Sequence, residues 1–387
     1  MYSRITPIQT GYSFFLFGPR GAGKSTLLES QLANQAKLWI DLLDPEEEHI
    51  FQTRPGELKN RTSNLSPGSL VVIDEVQRAP KILDVVHSLI EKEKLIFALT
   101  GSSARKLRRG AANLLAGRAF VSYLYPLTST ELGDDFELKD ILHLGSLPKI
   151  FDFDEADSKK KYLRAYANTY LKEEIQAEQL VRNVPQFRKF LEVAGQMNGK
   201  PLNYTKVGRD IRADHSVIST YFDILEDTLL GFRLMAYNKS IRKQQRQAPK
   251  FYFIDEGIRR AIDRTLEIDI KESTYEYGRS FESFFISEIY KLCHYRDRDE
   301  KLFYLLTKDD AEIDLIVDRP GKTTLVIEVK ATKTVHEVDI KTLKSFAGDI
   351  PNAEFYLVSR DPHSKSLDGV ECLPWYEFVS GFWHDKL

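Results

Sequence analysis

Cysteine is nearly absent from this 387-residue chain, which has only Cys293 and Cys372. Two isolated thiols make neither a disulfide framework nor a zinc site, and they suit a reducing cytoplasm. Long apolar runs are missing as well. Leu70–Ile73 and Leu95–Leu99 are strand-sized, well short of the ~18–20 apolar residues that a bilayer crossing requires. The start, Met1-Tyr2-Ser3-Arg4-Ile5-Thr6-Pro7, lacks the apolar stretch of a signal peptide. Nor does one sign of charge dominate. Lys+Arg number 55 against 57 Asp+Glu, a net charge of −2, which excludes a globally basic nucleic-acid coat but leaves room for local patches. Glycine (21) and proline (15) are too few for a collagen-like or low-complexity chain. These absences lead us to expect a soluble, cytoplasmic protein, and at roughly 150 residues per domain its length suggests two or three domains.

Residues 1–150 alternate β-rich runs with helical stretches. The strand candidates are Ser13–Phe17, Leu38–Leu42, Leu70–Ile73, Leu95–Thr100 and Phe120–Leu124, with helices expected at Ser25–Gln35 and Lys81–Glu93. Near-continuously apolar strands alternating with helices imply a parallel sheet covered on both faces. From 151 to 267 the pattern becomes helical, with apolar periodicity in Tyr162–Leu180 and Gln186–Met197. Two short helices follow, broken at Arg212–His215 as in a helix-turn-helix. The basic stretch Asn238–Lys250 and the apparent strand Phe251–Ile254 would then make a winged-helix hairpin. Residues 268–387 read as a third part. An amphipathic helix at Phe281–Leu292 precedes strands at Leu302–Leu305, Ile313–Val317, Thr324–Lys330 and Glu354–Ser359.

Gly18-Pro19-Arg20-Gly21-Ala22-Gly23-Lys24-Ser25, followed by Thr26, matches the Gly-x-x-x-x-Gly-Lys-Ser/Thr pattern between a strand and a helix. Its glycines let backbone N–H groups converge on phosphate oxygens, and the helix N-terminus adds favourable partial charge. Lys24 would reach the β- and γ-phosphates, and the Ser25 hydroxyl would ligate Mg2+. The apolar run Leu70–Ile73 ends in Asp74-Glu75, which puts two carboxylates at the C-terminal edge of a parallel sheet. Asp74 would hold the hydrated Mg2+ and Glu75 would polarise the attacking water. Thr100 or Ser102 is expected to orient that water or touch the γ-phosphate, the plain alternative being a hydroxyl-rich turn. Arg118 is read either as an arginine finger toward a neighbouring subunit or as a solvated surface residue.

These residues resemble the bacterial and archaeal AAA+-like ATPases that carry a C-terminal restriction-endonuclease-like domain. The likeness extends through Ile73-Asp74-Glu75-Val76-Gln77, Leu99-Thr100-Gly101-Ser102-Ser103, Leu115-Ala116-Gly117-Arg118 and Tyr125-Pro126-Leu127-Thr128 with Glu131. It continues in Pro249-Lys250-Phe251-Tyr252-Phe253-Ile254-Asp255-Glu256-Gly257. The resemblance implies ATP as the nucleotide, an ATPase core over 1–150, a helical lid and winged helix over 151–267, and an α/β restriction-endonuclease-like domain over 268–387. Gly145-Ser146-Leu147-Pro148 resembles the Gly-Gly-x-Pro turn that opens such lids, with Ser146 in place of the second glycine.

A second constellation lies in the last part. Glu328 and Lys330 are two apart and share one strand face, while Asp314 points opposite to Ile313 and Leu315. On adjacent strands, the two carboxylates would bind Mg2+ or Mn2+ beside a lysine placed to activate water. The pattern resembles the PD-(D/E)xK nuclease superfamily, which implies a role for Glu282 as the helix-borne acidic residue. Whether the site cleaves nucleic acid stays open. The alternative is a nucleotide-dependent switch or scaffold that holds DNA or a partner protein without cleavage. Two basic runs, Arg105–Arg109 and the stretch containing Arg233, Lys239, Arg242, Lys243, Arg246 and Lys250, are candidate phosphate contacts, with DNA the first expectation. The same runs would serve equally as solvated faces. A homo-oligomer is expected if Arg118 completes a neighbour's site. His215, His336 and Glu46–Glu48 are read as structural.

Overall fold

The computed structural model describes residues 2–102, 115, 117–169, 181, 183–238, 247–307 and 311–387. The basic run Arg105–Arg109, Ser103 and Ala116 of the quoted motifs, part of Tyr162–Leu180, and the wing residues Lys239, Arg242, Lys243 and Arg246 lie outside the described residues. The chain divides into two compact units. One holds residues 1–127 with 227–230, and the other holds 128–226 with 231–387.

The first unit is built on the expected parallel sheet. Its strands are β1 (Phe14–Phe17), β2 (Ala36–Asp41), β3 (Leu70–Asp74), β4 (Ile96–Gly101) and β5 (Phe120–Tyr123), in the order β2-β3-β4-β1-β5 with every pair parallel. Successive side chains of a strand alternate between faces. Phe14 and Leu16 accordingly enter one core with Leu27, Leu28 and Leu32 of the Lys24–Leu32 helix. Phe15 and Phe17 enter the other core with Phe51, Leu58, Ile82 and Val86, which come from the helices Pro45–Thr53, Glu57–Thr62 and Ile82–Glu93. Both faces are therefore covered, and the strands read as continuously apolar for that reason. Asp44 caps the Pro45–Thr53 helix, and Glu46, Glu47 and Glu48 fill its first turn.

In the second unit, helices Ala156–Thr169, Val184–Gln196, Tyr204–Ile211 and His215–Asp227 lead into β6 (Gly231–Ala236) and β7 (Lys250–Phe253), an antiparallel pair. The C-terminal strands are β8 (Lys301–Leu306), β9 (Glu312–Asp318), β10 (Thr324–Lys330), β11 (Ala353–Ser359), β12 (Lys365–Leu367) and β13 (Val370–Pro374). One sheet runs through them all, in the order β12-β13-β11-β10-β9-β8-β6-β7. The link is a parallel pairing of Met235 and Ala236 in β6 with Phe303 and Tyr304 in β8. The hairpin thus extends the C-terminal sheet.

Two elements differ from expectation. The helix foreseen at Phe281–Leu292 runs from Tyr275 to Arg296 and is buried on nearly all sides. Phe284 packs against Trp375, Phe285 against Phe378, and Tyr290 stacks on Phe232 of β6. A helix covered all round loses the two-faced pattern by which its ends would be read. The Trp375–Trp383 helix, which supplies Trp375 and Phe378, was not foreseen at all. Among the described residues, no helix is long and apolar enough to cross a membrane.

Gly145 and Gly257 show how tightly this unit is packed. Gly145 has φ +72°, and a Cβ there would meet the Asp255 carboxylate. A Cβ at Gly257 would lie 2.0 Å from the Leu144 carbonyl oxygen. Backbone offers no side-chain escape, and overpacking of this kind costs about 1–3 kcal/mol or more. Gly257→Ala is expected to lower the melting temperature by several degrees in a thermal scan. An unchanged melting point would place the Glu256–Ile262 helix elsewhere.

Candidate functional site

The loop after β1 lies between two strands and is pressed against both. Gly18 N donates to Gly101 O at 3.3 Å, and a Cβ on Gly18 would sit 2.2 Å from Leu124 O. Only glycine fits there. Gly21 and Gly23 have φ of 77° and 94°, in the left-handed region that favours glycine. Gly23 is also the N-cap of the Lys24–Leu32 helix and offers no side chain to its first N–H groups. Those amides and the helix dipole make an anion site. Lys24 is buried, and its ammonium donates to Gly18 O at 2.9 Å and Pro19 O at 3.4 Å, with Glu75 Oε1 3.9 Å away. Ser25 follows, half-buried, and Thr26 is exposed.

β3 and β4 bring the remaining groups to the same edge. Asp74 is the last residue of β3 and is buried. Glu75 follows in a left-handed conformation at φ 57°, a state that a non-glycine residue adopts only under surrounding constraint. The constraint is visible in Thr100, on β4. Its hydroxyl accepts from Glu75 N at 2.9 Å and donates to Asp74 Oδ1. Thr100 therefore positions the Asp74 carboxylate and the Glu75 backbone. Gln77 is buried, donates to Glu75 Oε2, and reaches Ser102 Oγ at 3.0 Å. Sequence reasoning quoted Gln77 in a motif but gave it no role. Its position two residues beyond Glu75 was the available signal. The glycine cradle, the ammonium and the hydroxyl and carboxylate oxygens fit a nucleotide triphosphate with Mg2+, whose oxygen preference they match.

Residues 11–133 match the family model of an AAA domain. Beyond this AAA domain, residues 135–271 match a domain of unknown function, DUF8612, and residues 277–378 match another, DUF4143. The uncharacterized protein Rv2008c of Mycobacterium tuberculosis is 28% identical over 368 residues, covering 93% of this chain and 79% of the relative. Protein MJ1544 of Methanocaldococcus jannaschii is 20% identical, over 87% of this chain and 78% of the relative. Among solved structures, Aeropyrum pernix ORC2 in its ADPNP-ADP complexes gives a TM-score of 0.35 at 12% identity, covering 66% of this chain and 88% of that one. A variant of Thermotoga maritima RuvB gives 0.28 at 17% identity, covering 61% and 86%.

Arg118, near the C-terminal end of the stretch that matches the AAA model, is paired with Glu91. That partner lowers the Glu91 pKa, first through the hydrogen bond and then through charge. Both side chains are solvent-exposed.

In the second unit, Glu282, Asp314, Glu328 and Lys330 do come together. Leu315 of β9 pairs with Ile327 of β10, and Asp314 and Glu328 lie one step further along. Asp314 Oδ2 accepts from Val329 N at 2.8 Å. Burial holds the Asp314 carboxyl well above the usual carboxylate range, with the Glu282 and Glu328 charges adding to it. Burial raises Glu328 too, against the pull of Lys330, whose ammonium lies 2.6 Å from Glu328 Oε1. Glu328 Oε2 is buried without a hydrogen-bond partner. Lys250 is a member that the sequence did not reveal. Its ammonium pairs with Glu312 and lies 3.6 Å from Glu282 Oε1. Tyr252 OH donates to that same Glu282 oxygen at 2.7 Å. Among the described residues, no group of three or more His, Cys, Asp or Glu side chains is arranged to hold a metal ion.

Two residues expected to face DNA from the wing are engaged inside the unit. Lys250 is in the acidic cluster. Arg233 pairs with Asp223 at 2.8 Å and with Glu226, and donates to Tyr204 OH at 3.1 Å and Ser219 O at 3.1 Å. An arginine so fully used has few donors left for phosphate. The turn Gly145–Pro148 is engaged as well. Ser146 N donates to Asp255 Oδ2 at 2.6 Å, and Asp255 Oδ1 caps the Glu256–Ile262 helix through Ile258 N at 2.9 Å. His215 opens a helix, and His336 caps the short turn Glu337–Ile340.

Proposed function

We propose that the chain binds ATP at Gly18–Thr26 and hydrolyses it, using the nucleotide state to govern a nucleic-acid-directed C-terminal part. The observation that carries this is the meeting of the Lys24 loop, Asp74, Glu75 and Thr100 on three neighbouring strand ends of one parallel sheet. The Lys24 ammonium would turn from the Gly18 and Pro19 carbonyls to the β- and γ-phosphates. Ser25 and Asp74 would hold Mg2+, which when bound neutralises charge on the phosphate oxygens. Glu75 takes a proton from the attacking water, held in place through its amide by Thr100. Arg118 would leave Glu91 to reach a neighbouring copy's nucleotide, which makes the working form a homo-oligomer.

In this proposal residues 1–150 are the ATPase core, 151–267 the lid and winged helix, and 268–387 the nuclease-like part. Glu282, Asp314, Glu328 and Lys330 are its site. A second reading has a specific observation in its favour: Glu282 and Glu328 are already ion-paired to lysines. On that reading the C-terminal part holds DNA or a partner protein without cutting.

The deciding experiment measures ATP turnover, together with cleavage of single- and double-stranded DNA and RNA. It is run with Mg2+ or Mn2+, with and without ATP, on wild type, Glu328→Ala and Lys330→Ala. Mg2+-dependent ATP turnover is expected, and its absence overturns the proposal. Cleavage lost in both variants establishes a nuclease. ATP turnover without cleavage under any condition establishes the holding mode.

A further inference from the structure

The acidic cluster of the second unit is offset in part by cations from within the chain. Four carboxylates, Glu282, Glu312, Asp314 and Glu328, meet two ammonium groups, Lys250 and Lys330. Lys330 serves Glu328. Lys250 pairs with Glu312 and Glu282, feels the charge of Asp314, and comes from a different element, β7, the last strand of the sheet order. Its side chain is 3% exposed. The ammonium pairs with Glu312, approaches Glu282, donates to Tyr252 OH at 3.4 Å, and lies 5.3 Å from the centre of the Tyr304 ring.

Burying an ammonium is strongly unfavourable unless nearby anions offset it, and fixing a lysine side chain adds an entropic cost. The cluster must supply that attraction. Conversely, the carboxylates on β9, β10 and the Tyr275–Arg296 helix repel one another unless a cation lies among them. A divalent ion would require these same oxygens at about 2.0–2.6 Å. An ammonium already occupying them blocks their lone pairs and repels a second cation.

We propose that Lys250 is the resident cation of this cluster, standing where a divalent ion would balance Glu282, Glu312 and Asp314. The cluster takes up Mg2+ or Mn2+ only when Lys250 is withdrawn from it. Strand β7 thereby decides whether the site is a metal site at all.

The test is a Mn2+ titration of the nucleotide-free full-length chain, followed by the paramagnetic signal of free Mn2+ and by thermal unfolding. Nucleotide is omitted, so failure here leaves the proposed ATP site untouched. Wild type is expected to show no saturable Mn2+ site and no Mn2+-dependent melting shift. Lys250→Met, neutral and similar in length, should gain one saturable equivalent and be stabilised by Mn2+. Adding Asp314→Asn should abolish that gain. Wild type binding one Mn2+ that Asp314→Asn removes would overturn the proposal, as would a folded Lys250→Met that binds none. If Lys250→Met does not fold, Lys250→Arg, which keeps the charge, must resemble wild type. Mn2+ uptake by Lys250→Arg also overturns it.

Discussion

Lys24→Ala is expected to abolish ATP binding, which is the largest single effect anticipated for this chain. Charge-assisted hydrogen bonds are worth about 1.5–3 kcal/mol each. Losing contacts to two phosphates removes about 3–6 kcal/mol, or a factor of roughly 100 to 20,000 in affinity. The loop's remaining contribution comes from glycine amides and a helix N-terminus, which carry partial charge only. The substitution should leave the fold intact, because the partners of the Lys24 ammonium are two loop carbonyls and a partly exposed Glu75. Calorimetric titration with ATP and Mg2+ measures the loss, with the melting temperature as the control for folding. Wild-type affinity in Lys24→Ala would remove the loop as the nucleotide site.

Glu75→Gln should separate binding from chemistry. The amide keeps the shape and an acceptor oxygen toward Gln77, whose Nε2 donates to Glu75 in the wild type. It cannot take up a proton. A positioned general base contributes about 100- to 10,000-fold, so hydrolysis should fall by that factor while ATP affinity stays within a few-fold. Pre-bound ATP, chased in a single-turnover assay, should remain uncleaved over many wild-type half-lives. Equal turnover in both proteins would eliminate Glu75 as the base. Thr100 holds the Glu75 amide and the Asp74 carboxylate together.

What could be read in advance depended on how local each signal is. The phosphate loop is contiguous, so Gly18, Gly21, Gly23 and Lys24 declare it without any knowledge of the fold. Asp74-Glu75 is nearly as local, being the polar end of an apolar strand. Gln77 and the double role of Thr100 depend on β3 lying beside β4, a pairing that the sequence does not state. Lys250 was placed with phosphate-binding cations because it ends a basic stretch. Its burial follows from β6 joining β8, a contact between residues about as distant as Ala236 and Tyr304. Short strands such as β12 and β13 leave too few residues for a period-2 pattern to stand out.

One strand connects two features that chain order keeps apart. β7 starts at Lys250, fixed among carboxylates, and ends at Phe253; the chain bends at Ile254 and reaches Asp255, which clasps the Ser146 turn. Only five residue steps separate the two anchors, at most about 17 Å of chain, and peptide geometry does not stretch. The segment therefore acts as a short tether. The Ser146 turn and the acidic cluster can separate only by the slack in the bend at Ile254. Whatever shifts one end must either carry the other along or break an anchor.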